Sequence, residues 1–395
     1  MSGAGAEGPR FGDVAPLLAV VLLDAASYAI ILPALPSVLL RLGAGAGAGG
    51  ILIASHAAAT MVGAPLLGRL SDRLGRRPVI LGSLAVALAA YVGFAFAANL
   101  WLLFAARIVS GFAAGNLSVV QAALSDATPE ERRGRAMGLM TTAWGVGFFV
   151  GPMIAAAVPE GRSAPSELPG LAAAALCVAS AILVALRRPM GATYGTTVVA
   201  AAADPARLRL RGVLIAQFAA AALCQASVIA MAGFLAHDLY GWGSRELGVL
   251  MAVVSGAIVV TQGLIVPRLM QAFGDRPVAG CALGAAGGAL ALLTLEAPPA
   301  AYGALLAIAF CGIVSAQTSI STQLSNTAGP LEQGKVMGAA GTAGAAGRVV
   351  GPALAGLGYS AISPATPFLA CGLLLAVVAA ASLRTRPAAL SGSET

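Results

Sequence analysis

Uninterrupted apolar tracts of about twenty residues, the length a helix needs to cross a bilayer, recur along the whole chain. One of them, VILGSLAVALAAYVGFAFAA at 79–98, carries no charge. In hydrocarbon every backbone N–H and C=O needs an internal partner, so only helices and closed barrels span a membrane. A barrel strand alternates apolar and polar positions over about ten residues. These tracts do not alternate, and the fold class they define is an all-α polytopic membrane protein. Composition agrees: AVILMFWYC make up 58% of the 395 residues and DEKR only 10%. Exchanging Tyr for Gly in that count lifts the apolar share to roughly 69%, against about 45 to 50% for a soluble domain. Mean hydropathy is +0.88, and a water-soluble fold is excluded.

Splitting the chain at charge, Gly/Pro and turn clusters gives tracts at 14–40, 50–70, 78–98, 100–126, 136–158 and 169–187, then at 212–236, 246–270, 278–297, 300–326, 336–359 and 365–383. This predicts twelve transmembrane helices as two six-helix pseudo-repeats, an N-terminal half over 1–187 and a C-terminal half over 212–395. Residues 188–211 form the longest connection and read as a cytoplasmic linker. The N-terminal MSGAGAEGPRFGDVAP lacks the basic start of a signal peptide, and the tract after it is too long for one, so it is expected to stay as helix 1.

With the N-terminus inside, the inner segments hold 18 of the 23 Lys and Arg residues, from Arg10 through Lys335 to Arg386. The outer loops hold three, Arg41, Arg162 and Arg245, while Arg107 and Arg348 fall inside tracts. The positive-inside rule therefore places both termini in the cytoplasm, with the chain in the cell's inner (plasma) membrane among its lipids. The same placement accounts for the net charge of +7 without a nucleic-acid partner. All five Cys (Cys177, Cys224, Cys281, Cys311, Cys371) stand singly in or beside apolar tracts and read as small hydrophobes, with no disulfide or metal cluster.

The halves repeat. GRAMGLMTTAWGVGFFVGP at 134–152 matches GKVMGAAGTAGAAGRVVGP at 334–352, and RLSDRLGRRPV at 69–79 matches RLMQAFGDRPV at 268–278. Both pairs keep the same order and membrane orientation. Parallel half-repeats around a central site are a transporter architecture.

Gly68-Arg69-Leu70-Ser71-Asp72-Arg73-Leu74-Gly75-Arg76-Arg77-Pro78 occupies the short inner loop between helices 2 and 3. It resembles the G-x-x-x-D-R-x-G-R-R signature of the major facilitator superfamily. Arg107 with Gly111 in helix 4 resembles that superfamily's R-x-x-x-G pattern, and Gly147 with Gly151-Pro152 in helix 5 resembles the G-x-x-x-G-P pattern of its drug/proton antiporters. With Leu-Leu-Asp24 and the Pro33 and Pro36 pair of helix 1, the first half looks most like the twelve-helix antiporters of the tetracycline-efflux type. The resemblance implies a network of Asp72, Arg76 and Asp126 that latches the halves when the carrier is open outward. It also implies an anti-leak role for the Gly-Pro hinge, while small-residue spacing from Gly147 to Gly151 allows close packing across the half interface. In the second half Asp72 and Arg73 correspond to Gln271 and Ala272, so that loop copy is degenerate.

Asp24 is the only carboxylate deep in a tract; Asp238, Glu246 and Glu296 fall at outer helix ends. A charge at mid-bilayer costs at least about 2.5 to 3.5 kcal/mol, so Asp24 reads as a functional group for proton or cationic-substrate binding. Arg107, which keeps its proton, is its electrostatic partner within the first half. His56 in helix 2 is a candidate relay. Arg348, before Gly351-Pro352 of helix 11, has no counterpart charge, since Phe148 stands at the equivalent place. Tyr28, Asn116, Gln121, Trp144, Gln217, Gln225, Gln262 and Gln317 are the remaining cavity candidates, a neutral, amide-rich set that suits amphiphilic ligands.

There is no G-x-S-x-G, Walker loop or HExxH, and only two His. Neither an enzyme, a cofactor nor a metal is expected. The sequence reads as a monomeric, proton-coupled exporter of small lipophilic or amphiphilic compounds such as antibiotics, working by alternating access. A metabolite uniporter or symporter, and a non-transporting receptor or scaffold, are the competing readings.

Overall fold

A computed structural model describes residues 11–158, 167–186, 205–295, 298–328 and 332–384, with the side chains of 11–13, 130–131 and 205–207 left aside. Twelve helical rods follow one another: α1 (Phe11–Arg41), α2 (Ala46–Leu74), α3 (Arg76–Ala95), α4 (Leu100–Ala114 continued by Asn116–Asp126), α5 (Glu130–Ala157) and α6 (Leu168–Ala185). Next come α7 (Pro205–Tyr240), α8 (Ser244–Val260, a wide π-type turn Thr261–Ile265, then Val266–Phe273), α9 (Asp275–Leu292), α10 (Pro299–Thr327), α11 (Gln333–Ala361) and α12 (Thr366–Arg384). No strand occurs among the described residues. Ten of the rods are long and apolar enough to cross a membrane; α9 and α11 fall short. The first opens on Asp275-Arg276-Pro277, and the second is built mostly from Gly and Ala.

Helix ends follow local chemistry. The Asn99 side chain accepts the Leu102 N–H at 2.9 Å and so satisfies one of the free donors that start α4. Between α2 and α3 the chain turns on Gly75 at φ 92°, and between α8 and α9 on Gly274 at φ 81°, a backbone state that a Cβ makes costly. The two turns stand at equivalent places of the sequence repeat. The repeat also survives in helix packing: Gly147 and Gly151 of α5 seat on the carbonyls of Leu22 and Ala26 in α1, and Gly347 and Gly351 of α11 seat on those of Ala219 and Leu223 in α7.

The described residues form two compact units. The first takes those of Met1–Gly195 together with Ala232–Ser255, and the second takes those of Thr196–Met231 and Gly256–Thr395. Within the first unit, the end of α7 and the start of α8 lie on the N-terminal helices: Gly233 meets the Pro36 ring, Phe234 covers Gly49, and the Ser37 and Ser244 hydroxyls stand 3.4 Å apart. Large apolar side chains face outward, Trp101 at 86% exposure among them, as a bilayer-facing surface requires.

Linker residues 188–204 lie outside the described residues, as do Arg10, Arg162, Arg187, Arg188, Glu296 and Arg386. Residues 205–211 of the expected linker form the first turns of α7. There Arg211 donates to the Thr327 carbonyl and to Glu332, each at 2.6 Å, and ties α7 to the α10–α11 junction.

Candidate functional site

The first-half site is built where α1, α2, α4 and α5 meet. Tyr28 of α1 is its hub: its ring stacks on His56 of α2 at 4.9 Å, tilts against Phe148 of α5 at 5.8 Å, and carries the Arg107 guanidinium of α4 at 5.4 Å from its centroid. Trp144 extends the row through Phe148 at 5.4 Å. Arg107 is 1% exposed, and all three of its guanidinium nitrogens are buried without a hydrogen-bond partner. The face of Tyr28 is thus its principal contact, a cation–π arrangement that gains strength when desolvated.

Asp24 lies one turn before Tyr28 on α1 and is half-buried. No ion pair joins Asp24 to Arg107, or to any other described residue. Tyr91 of α3 and Cys177 of α6 are buried, and the Cys177 thiol donates to the Leu84 carbonyl of α3 at 3.1 Å.

His56 is held rather than free. Its Nδ1 lies 3.1 Å from the Arg107 carbonyl, which can only accept, so the proton sits on Nδ1; the Ser110 hydroxyl stands 3.3 Å away. One turn on, the Thr60 hydroxyl reaches the Gly111 carbonyl at 2.9 Å, and Ser118 reaches the Ala64 carbonyl at 3.1 Å. Gly63, Gly111 and Gly115 let the α2 and α4 backbones touch: a Cβ at Gly115 would stand 2.5 Å from the Ala64 nitrogen. The break in α4 falls at Gly115. Asn116 follows it, buried, with its carbonyl oxygen unpartnered, and Gln121 points its amide at the Met137 sulfur, 3.8 Å away.

The hinge glycines Gly147 and Gly151 face α1 of their own half, whereas the sequence pointed them across the half interface. A Cβ at Gly147 would collide with the Leu22 carbonyl, and one at Gly151 would stand 2.6 Å from that of Ala26, so α5 grips α1 on either side of Asp24. The close approach to α8 is made one turn later, where Gly248 lies against the Pro152 carbonyl and Ala156. Pro152 cannot donate to the Phe148 carbonyl four residues back, and Ser255 of α8 donates to it instead at 3.2 Å.

At the end where α2 joins α3, Arg76 gathers the loop motif. It binds Asp72 at 2.5 Å, Ser71 at 2.7 Å and, across to the end of α4, Asp126 at 3.1 Å. Arg77 donates to the Ala185 carbonyl that ends α6, at 2.5 Å. Arg73 is exposed, and Gly68 has open space around it.

In the second unit, Gln317 of α10 bonds Gln225 of α7, Thr318 of α10 bonds Gln262 of α8, and Gln217 is buried in α7. Arg348 lies within α11, its guanidinium near Gly344.

Apolar rods in paired half-repeats, with a buried arginine resting on a tyrosine ring one turn from an intramembrane aspartate, fit a membrane carrier. The model of the Major Facilitator Superfamily matches residues 17–352 and again 213–395, and the chain belongs to that family. It is a transporter rather than an enzyme. It is 30% identical over 363 residues to the tetracycline resistance protein, class G, of Vibrio anguillarum, covering 88% of this chain and 90% of that one. It is 26% identical over 378 residues to multidrug resistance protein 1 of Bacillus subtilis, covering 92% of this chain and 94% of that one. Among solved structures, a bacterial homologue of the human lysosomal transporter Spinster, in an inward-facing and occupied conformation, superposes with a TM-score of 0.79 at 14% identity, over 96% of this chain and 97% of that one.

Proposed function

We propose that this carrier is a proton-coupled exporter of small lipophilic or amphiphilic compounds, antibiotics of the tetracycline kind among them, with Asp24 as the proton-exchanging group. The observation that carries the reading is the buried Arg107 guanidinium, without a hydrogen-bond partner, resting on the Tyr28 ring one helical turn along α1 from Asp24, to which it is not paired. A buried cation without a counter-ion is costly, and Asp24 is the carboxylate on α1 one turn from the Tyr28 ring that carries Arg107. When Asp24 is protonated, Arg107 rests on Tyr28. When Asp24 loses its proton, the carboxylate attracts Arg107, and α1 and α4 shift against each other. Gly147 and Gly151 transmit that shift to α5 because they grip α1 around Asp24. Competition between proton and substrate for this region then couples inward proton flow to export.

The Asp72, Arg76 and Asp126 network serves as a latch at the cytoplasmic face, and the protein works as a monomer in the inner membrane with both termini in the cytoplasm. Sequence likeness to proteins named for tetracycline and multidrug resistance supports the choice of substrate class. The test uses purified carrier in proteoliposomes. An imposed pH gradient is expected to drive tetracycline to accumulate above its equilibrium level, and collapsing the gradient abolishes the accumulation. Equilibration at the same level with and without the gradient would instead mark a uniporter.

A further inference from the structure

The second unit holds a cluster of neutral polar side chains that the proton-linked site does not use. Gln317 of α10 donates to the Gln225 carbonyl oxygen of α7 at 3.2 Å. Thr318 of α10 donates to the Gln262 carbonyl oxygen of α8 at 3.1 Å, and the Gln262 amide nitrogen stands 3.4 Å from Ser315, whose own proton goes to the Cys311 carbonyl at 2.6 Å. At consecutive positions α10 therefore bonds amides of α7 and of α8, and no ionisable side chain bonds to either pair among the described residues.

Two features single the patch out. Gln262 sits in the wide turn Thr261–Ile265, and such a turn, which interrupts the helical hydrogen-bond register, is frequent at functional sites. The second is the valence left over. A glutamine amide offers two donors and an acceptor. Once Gln317 has donated to Gln225, the Gln225 amide nitrogen and the Gln317 amide oxygen remain with no protein partner in the described residues. Exchanging the nitrogen and oxygen of both amides leaves the same pair, one donor and one acceptor, so the conclusion does not depend on that assignment. Both side chains are half-buried rather than sealed. Two turns earlier on the same face of α7, Gln217 is 4% exposed with both amide atoms unpartnered, so unmet amide valence continues along this helix.

We propose that Gln225 and Gln317, backed by Gln262 and Thr318, form a subsite for the uncharged hydrogen-bonding part of the transported compound, one whose unmet amide donor and unmet amide acceptor suit a group that carries both, as a carboxamide does. The proposal rests on the exporter reading and adds the chemistry by which a substrate is chosen. A carboxamide completes the amide pair with two bonds, whereas a lipophilic cation without donors or acceptors gains nothing there.

The experiment measures equilibrium binding to the purified full-length carrier of three probes: tetracycline, which bears a primary carboxamide, tetracycline with that carboxamide replaced by a nitrile, and tetraphenylphosphonium. Wild type is expected to bind tetracycline at least tenfold more tightly than the nitrile. The double variant Q225L/Q317L is expected to lose that preference while holding tetraphenylphosphonium within twofold, which shows that it is folded. Should the variant fail to fold, the carboxamide-to-nitrile ratio in wild type still decides. Equal affinity for the two tetracyclines, an unchanged preference in Q225L/Q317L, or a parallel loss of all three probes by a folded variant would overturn the subsite and leave export standing. Wild type that binds none of the probes would overturn both readings.

Discussion

The Ser255 hydroxyl of α8 donates to the Phe148 carbonyl of α5 at 3.2 Å, and that carbonyl is the one Pro152 deprives of its helical donor. A proline kink inside a membrane is tolerated when a neighbour meets the freed group. Here the neighbour comes from the other half of the sequence, so the carbonyl that Pro152 frees in α5 depends on α8 for its partner.

Replacing Ser255 by Ala removes that donor and leaves the Phe148 carbonyl unmet. The expected cost is about 1 to 3 kcal/mol, read as a lower unfolding midpoint in detergent, together with slower transport. Ser255→Thr, which keeps the hydroxyl, is expected to recover most of both.

The grip of α5 on α1 leaves no room for a methyl group. Gly151→Ala is expected to destabilise by about 1 to 3 kcal/mol through overpacking against the Ala26 carbonyl and to reduce transport. Gly138→Ala on the same helix, where a Cβ meets nothing within 4 Å, is expected to leave the melting temperature unchanged. Equal effects at the two positions would show that close packing on α1 is not what Gly151 provides.

Arg107 should oppose stability to function. Exchanging a buried ionic group for an apolar one of similar volume often stabilises by about 1 to 4 kcal/mol. Arg107→Met is therefore expected to raise the melting temperature while abolishing gradient-driven accumulation. A variant that melts lower would mean that the contact of the guanidinium with the Tyr28 ring outweighs the cost of burying its charge.

At the α2–α3 loop, Arg76→Lys keeps the charge but cannot span Asp72, Ser71 and Asp126 from one planar group. A transport rate at least tenfold lower is expected in vesicles, at normal expression. Asp126→Asn, which weakens the bond from the other side, is expected to act in the same direction.

Much of this was legible before any coordinates. Hydrocarbon demands continuous apolar runs, so the helices fall within a few residues of the tracts, and the match of Gly75 with Gly274 follows from a repeat visible in the sequence. The meeting of Arg76 with Asp126 was likewise implied by a motif whose spacing fixes a short turn. What hydropathy does not encode is hydrogen-bond register: the break at Gly115 and the wide turn at Gln262 lie in tracts that read as ordinary helix. Nor does it encode rotation. Gly147 and Gly151 turn toward α1, and Ser255 acquires meaning only from a proline on another helix.

The central claim is that Asp24 exchanges the proton in competition with substrate. It is tested most directly by measuring proton release when tetracycline is added to the purified carrier in weakly buffered solution, in wild type and in Asp24→Asn. Release in wild type that vanishes in Asp24→Asn is the expected result. Binding without a proton signal in wild type, or equal release from both proteins, would contradict it.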